Sequence, residues 1–258
     1  MPPAPPALDT AAALAALRGP GFAHVPRAFA PAEIAPLTAS VMAEYDRLEA
    51  LIANEGVDGA AAGLPAGTRY QPAAASLGLD GIPGWRGLLE IVPAALWHLA
   101  PAFLGGECVI DVDVSWARRQ YPPHLRSAGQ APHMLHQDGA YGATFAPGST
   151  LMPMLVFWIP LTEAGLDRPG IECIPEPQPE LVPLAALADA AAEVRWPTAQ
   201  RLRPRMAPGD VLLIAGPHLH RTHVTAEMTG VRTSLEVRVV ALPLSPRLAG
   251  HTTMPLPC

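Results

Sequence analysis

The sequence predicts a mainly β, α+β domain in which N-terminal helices pack on the outside of an antiparallel sandwich or barrel. Three observations carry that expectation. Helical periodicity is concentrated in residues 1–105, and period-two patterning in residues 106–242. Strands and helices do not alternate as βαβ units, and neither G-x-G-x-x-G after a strand nor G-x-x-x-x-G-K occurs. At 258 residues, half of them hydrophobic, the chain suits one domain with a large core and is short for two.

Taken in order, residues 1–8 are Pro-rich. Asp9-Thr10 caps a short helix through Leu17, ended by Arg18-Gly19-Pro20, and GFAHVP (21–26) has strand character. Pro31-Ala32-Glu33 opens a long helix with Ile34, Leu37, Val41, Tyr45, Leu48 and Leu51 on a helical period. Asn54-Glu55-Gly56 stops it near Ile52. Gly, Ala and Pro dominate 56–83, which reads as a mobile loop. Residues 85–104 read as helix broken at Pro93 and Pro101, and 107–123 as an alternating strand ended by a Pro pair. LMPMLVFWIPL (151–161) is apolar enough for a strand buried on both faces. GIECIP (170–175), GDVLLI (209–214) and 232–242 are further strands. A Pro- and Ala-rich insertion, 176–208, carries a helix near 184–194, and 243–258 is a tail.

Composition excludes several functions. The net charge of -6 argues against nucleic acid; the Arg118–Arg119 and Arg201/Arg203/Arg205 clusters are short, and the second reads as solvated strand edges. All 17 basic residues are Arg, so no lysine Schiff base can form, and anions fall to Arg, His or backbone N–H groups. Cys108, Cys173 and Cys258 are odd in number and lack a C-x-x-C pair, which argues against a disulfide framework or zinc knuckle. With no signal-peptide pattern and no uninterrupted apolar span, a cytoplasmic protein without membrane contact is expected. Nothing calls for an obligate protein partner.

Most of the nine histidines fall in two clusters, HMLHQDG (133–139) and HLHRTH (218–223). His136 and Asp138 are two residues apart, and on an extended backbone such side chains point the same way. One metal ion can then take both. A histidine from a facing strand completes a two-His-one-carboxylate set with three open positions, as in non-haem iron(II) oxygenases. His218, His220 and His223 all compete for that third place. A lone His-x-Asp reads as a turn with a structural histidine; the second cluster gives this one weight. About a dozen residues on, Arg232 and Ser234 share a strand face. An Arg buried beside a metal needs an anion. A dicarboxylic co-substrate supplies one: it chelates the metal at one end and takes Arg232 bidentately at the other, with Ser234 adding a hydroxyl.

In these residues and the runs around them, the chain resembles the phytanoyl-CoA dioxygenase family of iron(II)/2-oxoglutarate oxygenases. The resemblance rests on His136-Gln137-Asp138, FWIPL (157–161), GIECIP (170–175), GDVLLIAGPHLHRT leading to Arg232, and the opening GFAHVPRAFAPAEI. It implies a double-stranded β-helix (jelly-roll, cupin-like) core with helices outside. It implies His136, Asp138 and His220 as iron(II) ligands, His220 because the His-Arg-Thr run matches best. It implies Arg232 as the 2-oxoglutarate clamp, Gln137 and Trp158 along the co-substrate, Thr222 as a hydroxyl contact, and O2 as the other co-substrate. No catalytic residue beyond the metal centre is implied. Ile174-Pro175-Glu176 departs from the Pro-Gly-Ser-His run that relatives often carry there. A carboxylate at Asp138, where halogenases of this type have a small residue, favours hydroxylation or a related oxidation that releases succinate and CO2.

Tyr141, Phe145, His133, Arg118 and Gln120 are candidate substrate contacts, each with an ordinary reading as packing or solvated surface. Glu236 and Arg238 continue the Arg232 face and are placed to pair. The expected substrate is a small, fairly apolar metabolite of the kind found in secondary metabolism. Two other classes fit the same triad: a metal-dependent β-barrel enzyme without 2-oxoglutarate (an isomerase or direct dioxygenase), in which Arg232 is structural, and a non-catalytic binding barrel.

Overall fold

A computed structural model describes residues 8–64, 68–127, 130–141, 143 and 149–257. Helices α1 (Thr10–Arg18), α2 (Pro31–Ala62), α3 (Leu88–Ile91), α4 (Ala94–Trp97) and α5 (Leu99–Leu104) precede most of the sheet; α6 (Leu184–Leu187) and α7 (Asp189–Arg195) lie in the insertion. The strands are β1 (Phe22–Val25), β2 (Tyr70–Gln71), β3 (Ser76–Gly78), β4 (Cys108–Gln120), β5 (His136–Gln137), β6 (Met154–Pro160), β7 (Gly170–Cys173), β8 (Val211–Ala215), β9 (Leu219–His223), β10 (Arg232–Ala241) and β11 (Thr253–Pro255). They form two antiparallel sheets. The main one runs β1-β8-β6-β10-β4-β3-β2 with β11 also on β4, and the minor one β5-β9-β7. This is the expected jelly-roll with peripheral helices.

α2 begins where its sequence says it should. Pro31 occupies the first turn, and the Glu33 carboxylate accepts from the Ala30 amide at 2.6 Å, satisfying an orphan donor. Its apolar stripe, Ile34, Leu37, Val41, Tyr45 and Leu48, is buried, each large apolar side chain contributing about 1.5–3 kcal/mol. It packs with the outer face of the main sheet, where Leu155, Phe157, Ile159, Leu213, Leu235, Val237 and Val239 join Trp97 and Leu96 in one core. The Tyr45 hydroxyl donates toward the carbonyls of Ala75 and Ala117, both at 2.8 Å. β6 is buried along its whole length, as its composition predicts. Its alternate residues Met154, Val156 and Trp158 face inward and meet Ile171 and Cys173 of the minor sheet.

Four expectations change. Gly56 is a kink rather than a stop: its φ of 74° breaks α2, and helix resumes to Ala62. The segment 56–83 is not simply a loop, because β2 and β3 pair there and Leu77 and Leu79 are buried; strands this short carry no readable period. The sheet also extends beyond 106–242: β1 covers the edge of β8, and β3 and β11 lie along β4. Pro101 does not break a helix; it sits in the first turn of α5, where its missing N–H costs nothing.

No single helix among the described residues is long and apolar enough to cross a membrane. A bent pair, Trp85–Ile91 with Ala94–Leu104, passes on length and composition only, with 96° between its halves.

Along β10 and β4 the inner face turns polar. Arg232 lies opposite Gln120, Ser234 opposite Arg118, and Glu236 opposite Trp116, after which the register shifts before Arg238. Just across the barrel, Gly139 is clamped: its amide donates to Gly216 O and its carbonyl accepts from Met152 N, both at 2.8 Å. A Cβ at Gly139 would lie 2.9 Å from Met152 O and 3.1 Å from Gly216 O, so Gly139→Ala forces backbone apart beside Asp138. We expect it to lower stability by about 1–3 kcal/mol in urea unfolding.

Candidate metal centre

β5 and β9 pair with His136 directly opposite His220. Asp138 follows β5 at the start of a 3-10 turn, Asp138–Ala140, which swings its carboxylate between the two rings. Ligand atoms of His136, Asp138 and His220 lie within 4.8 Å of one another, the only such group of three among the described residues. His136 Nδ1 is 2.7 Å from Met134 O and His220 Nδ1 is 3.1 Å from His218 O. A carbonyl only accepts, so each Nδ1 carries the proton and each Nε2 keeps a lone pair for a metal. His220 Nε2 faces Asp138 Oδ2 at 3.2 Å. Two electron-rich atoms that close call for a cation beside them, so the donor set fits a divalent metal ion.

Arg238 holds the carboxylate from behind. Its Nη2 and Nε lie 2.5 and 3.2 Å from Asp138 Oδ1, leaving Oδ2 toward His220, and it also donates to Val114 O. Burial alone would raise the Asp138 pKa, but the Arg238 guanidinium, foremost among its neighbours, holds the group well below the usual carboxylate range. Burial, with neighbouring His220 next, pushes His136 down to about 4 and His218 down to about 3; burial and His136 push His133 down as well. These imidazoles are therefore neutral near pH 7, as ligation by His136 requires.

The structure separates the three competing histidines. His218 is buried, with Phe22 at 5.0 Å between ring centroids, and its ring lies parallel to His220 rather than converging with it. His223 turns toward Glu172, 3.6 Å away. Glu172 is fully buried and also binds Arg201, Arg203 and Arg221 at 2.7–2.9 Å. Arg201 and Arg203 therefore neutralise a buried carboxylate, correcting their reading as solvated edges.

Space beside the triad is split in two. A cavity of about 260 Å³ is lined by His133, His136, Asp138 and Tyr141 with Trp116, Arg118 and Arg238. A narrow recess of about 10 Å³ runs on toward Val156, Trp158, Thr222 and Glu236. Larger clefts of about 750 and 500 Å³ hold none of the triad. Arg232 is 1% exposed, stacks over the Trp158 ring at 5.2 Å, donates from Nη1 to Ser234 Oγ at 2.5 Å, and is pushed down by burial only to about 10, so it stays charged. Arg232 Nε and Trp158 Nε1 are buried without a hydrogen-bond partner among the described residues. Such orphan donors beside a metal triad fit an anionic co-substrate.

Other candidates fare unequally. Gln137 is among the cavity's lining residues, and its side-chain amide is engaged elsewhere: Nε2 donates to Glu180 O (3.0 Å) and Pro217 O (2.8 Å) and Oε1 accepts from Val182 N (2.9 Å). Those bonds tie the insertion to the minor sheet. Arg118 is buried, not solvated, and pairs through Nε with Glu236 at 2.7 Å. Gln120 donates to Ala74 O at 3.0 Å and is not among the cavity's lining residues. Arg238 does pair with Glu236, at 3.3 Å, but its nearer partner is Asp138. Phe145 lies outside the described residues. Trp116 lines the cavity unforeseen, although its place two residues before Arg118 on an alternating strand was the available signal. Gln71 also lines it, from a segment with no period to read.

An antiparallel double-stranded β-helix carrying this His-Asp-His group is of the cupin-like, jelly-roll class. Within that class the chain belongs to the phytanoyl-CoA dioxygenase (PhyH) family, whose model matches residues 17–226. A search of the curated proteins finds no match. Solved structures share the fold. AviO1 from Streptomyces viridochromogenes Tue57 is 21% identical over 93% of this chain and 99% of its own, with a TM-score of 0.60. EctD from S. alaskensis, solved with 2-oxoglutarate and 5-hydroxyectoine, is 19% identical over 94% and 78%, with a TM-score of 0.61. The epimerase SnoN, solved with Fe3+, alpha ketoglutarate and nogalamycin RO, is 18% identical over 90% and 83%, with a TM-score of 0.56.

Two measurements test the electrostatics of the metal-free protein. Arg238→Ala strands Asp138 as an unpaired buried charge and is expected to cost about 3–5 kcal/mol in urea unfolding. Free imidazoles protonate near pH 6.5, but His136 and His218 in the fold only near 4 and 3. Below pH ~6.5 the unfolded chain binds more protons, so stability should fall progressively as pH drops from about 6.5 toward 4. A urea midpoint that is flat or rises over that window contradicts the neutral, buried histidines.

Proposed function

We propose that this chain is an Fe(II)- and 2-oxoglutarate-dependent dioxygenase that oxidises a small metabolite, with His136, Asp138 and His220 as the iron ligands and Arg232 as the co-substrate clamp. The observation that carries this reading is the convergence of two free Nε2 lone pairs and one carboxylate in a barrel that also buries an incompletely satisfied Arg232. Membership of the phytanoyl-CoA dioxygenase family supports it, as does the likeness to EctD and SnoN, both solved with 2-oxoglutarate. Bound Fe(II) and 2-oxoglutarate would activate O2, with the keto acid leaving as succinate and CO2 and the substrate oxidised.

The chain's own residues supply position and charge. Arg238 fixes which Asp138 oxygen is presented, while Met134 O and His218 O fix both ring tautomers. Arg232 and Ser234 offer guanidinium and hydroxyl to a far carboxylate, and Thr222 and Trp158 line the way to it. Because Asp138 keeps its carboxylate, hydroxylation or a related oxidation is favoured over halogenation. Buried free thiols at Cys108 and Cys173 support a reducing, cytoplasmic setting. The occurrence of SnoN in nogalamycin biosynthesis supports a role in secondary metabolism.

Anaerobic addition of 2-oxoglutarate to the Fe(II) protein should give a weak visible charge-transfer band. Asp138→Ala should abolish that band and succinate formation. Arg232→Ala should raise the half-saturating 2-oxoglutarate concentration by roughly tenfold or more, the loss of a charge-assisted bidentate contact. A bound iron with no band points to a metal enzyme without 2-oxoglutarate, and an unchanged Arg232→Ala removes the clamp assignment.

A further inference from the structure

The cavity beside the triad contains an incompletely paired cation. Arg118 is 5% exposed and lines the same 260 Å³ space as His136 and Asp138. Its Nε faces Glu236, yet its Nη1 is fully buried without a hydrogen-bond partner among the described residues. A guanidinium nitrogen withdrawn from water and left unmatched is costly unless something else binds it.

The charge balance points the same way. Three guanidiniums, Arg118, Arg232 and Arg238, stand in one inner cluster with two carboxylates, Asp138 and Glu236. Counted by themselves, these five side chains carry one net positive charge. Fe(II) and the 2-oxoglutarate dianion cancel each other, so loading the centre leaves that excess in place. A group with a single negative charge removes it.

We propose that Arg118 is a substrate-binding residue, and that the substrate is a small molecule carrying one carboxylate, held through Arg118 Nη1. Strand β4 then sets the substrate's position: its anion lies at Arg118 while the rest extends past His133 and Tyr141 to the face of the triad. This revises the expected substrate from fairly apolar to anionic at one end. The oxidation of that substrate rests on the proposed function, but the binding does not.

The test is calorimetric binding of benzoate and hexanoate and of their uncharged amides, to the metal-free protein and to the anaerobic Fe(II)/2-oxoglutarate complex. The carboxylates should bind about tenfold or more tightly than the amides, and Arg118→Gln should reduce that preference to within about threefold. The variant should keep the wild-type circular dichroism spectrum and the visible charge-transfer band. Arg118→Lys, which keeps the charge and loses the fork, should retain part of the preference. If Arg118→Gln does not fold, the wild-type comparison and the lysine variant still decide. Equal binding of acids and amides, binding of neither, or a preference that survives Arg118→Gln overturns the proposal. So does loss of the charge-transfer band in Arg118→Gln, which would make Arg118 the co-substrate clamp. A carboxylate preference through Arg118 in a protein that shows no such band would sink the dioxygenase reading and leave the anion site standing.

Discussion

The ion pair between Arg238 and Asp138 is the interaction on which the rest of the centre depends. Arg238 belongs to the main sheet, on β10, and Asp138 to the turn that leaves β5 of the minor sheet. Their contact ties the two sheets across the mouth of the barrel. It also keeps Asp138 ionised in a place where burial by itself raises the carboxyl pKa. A carboxylate that is ionised, oriented by one oxygen and free at the other is what a metal site needs, and the guanidinium supplies all three conditions at once. Breaking either half leaves an uncompensated buried charge, so the pair is a constraint more than a source of stability.

That constraint explains the unusual interior. A jelly-roll core is ordinarily apolar on both facing layers, and on β6 and β8 it is, with Val156, Trp158, Leu212 and Ile214 packed on Ile171 and Cys173. On β10 and β4 it is lined by Arg232, Ser234, Glu236, Arg238, Arg118 and Gln120, all buried. These groups satisfy one another only in part. Glu236 serves both Arg118 and Arg238, while Arg232 and Trp158 keep donors without partners. An interior this polar and this incompletely paired is the signature of a site that binds something charged.

The outer surfaces do the supporting work. Gln137 spends its amide on the backbone of the 178–182 segment and on Pro217, pinning the insertion to the minor sheet. Glu172 gathers Arg201, Arg203, Arg221 and His223 on that same side. Between them these networks hold β5, β9 and β7 in register, and register is what sets His136 opposite His220.

By itself the sequence determined the local patterns. The stripe on α2, the doubly buried β6, the alternation of β4 and β10, and the two-residue spacing of His136 and Asp138 are all short-range regularities, set by helix and strand periods. It also determined the stock of cations, since a chain without lysine must meet every buried anion with Arg or His. Tertiary structure decided what those regularities face. His220 was separated from His218 and His223 only by the turn of β9 against β5 and by Glu172 claiming His223. The partners of the Gln137 amide, on the 178–182 segment and Pro217, lie some 40 and 80 residues away and were invisible to local pattern. Arg238 reached Asp138 through a register shift between Glu236 and Arg238 that no local pattern records. The physical reason is the same in each case: periodicity says which residues share a face, but pairing between strands far apart in the chain says what lies across from that face.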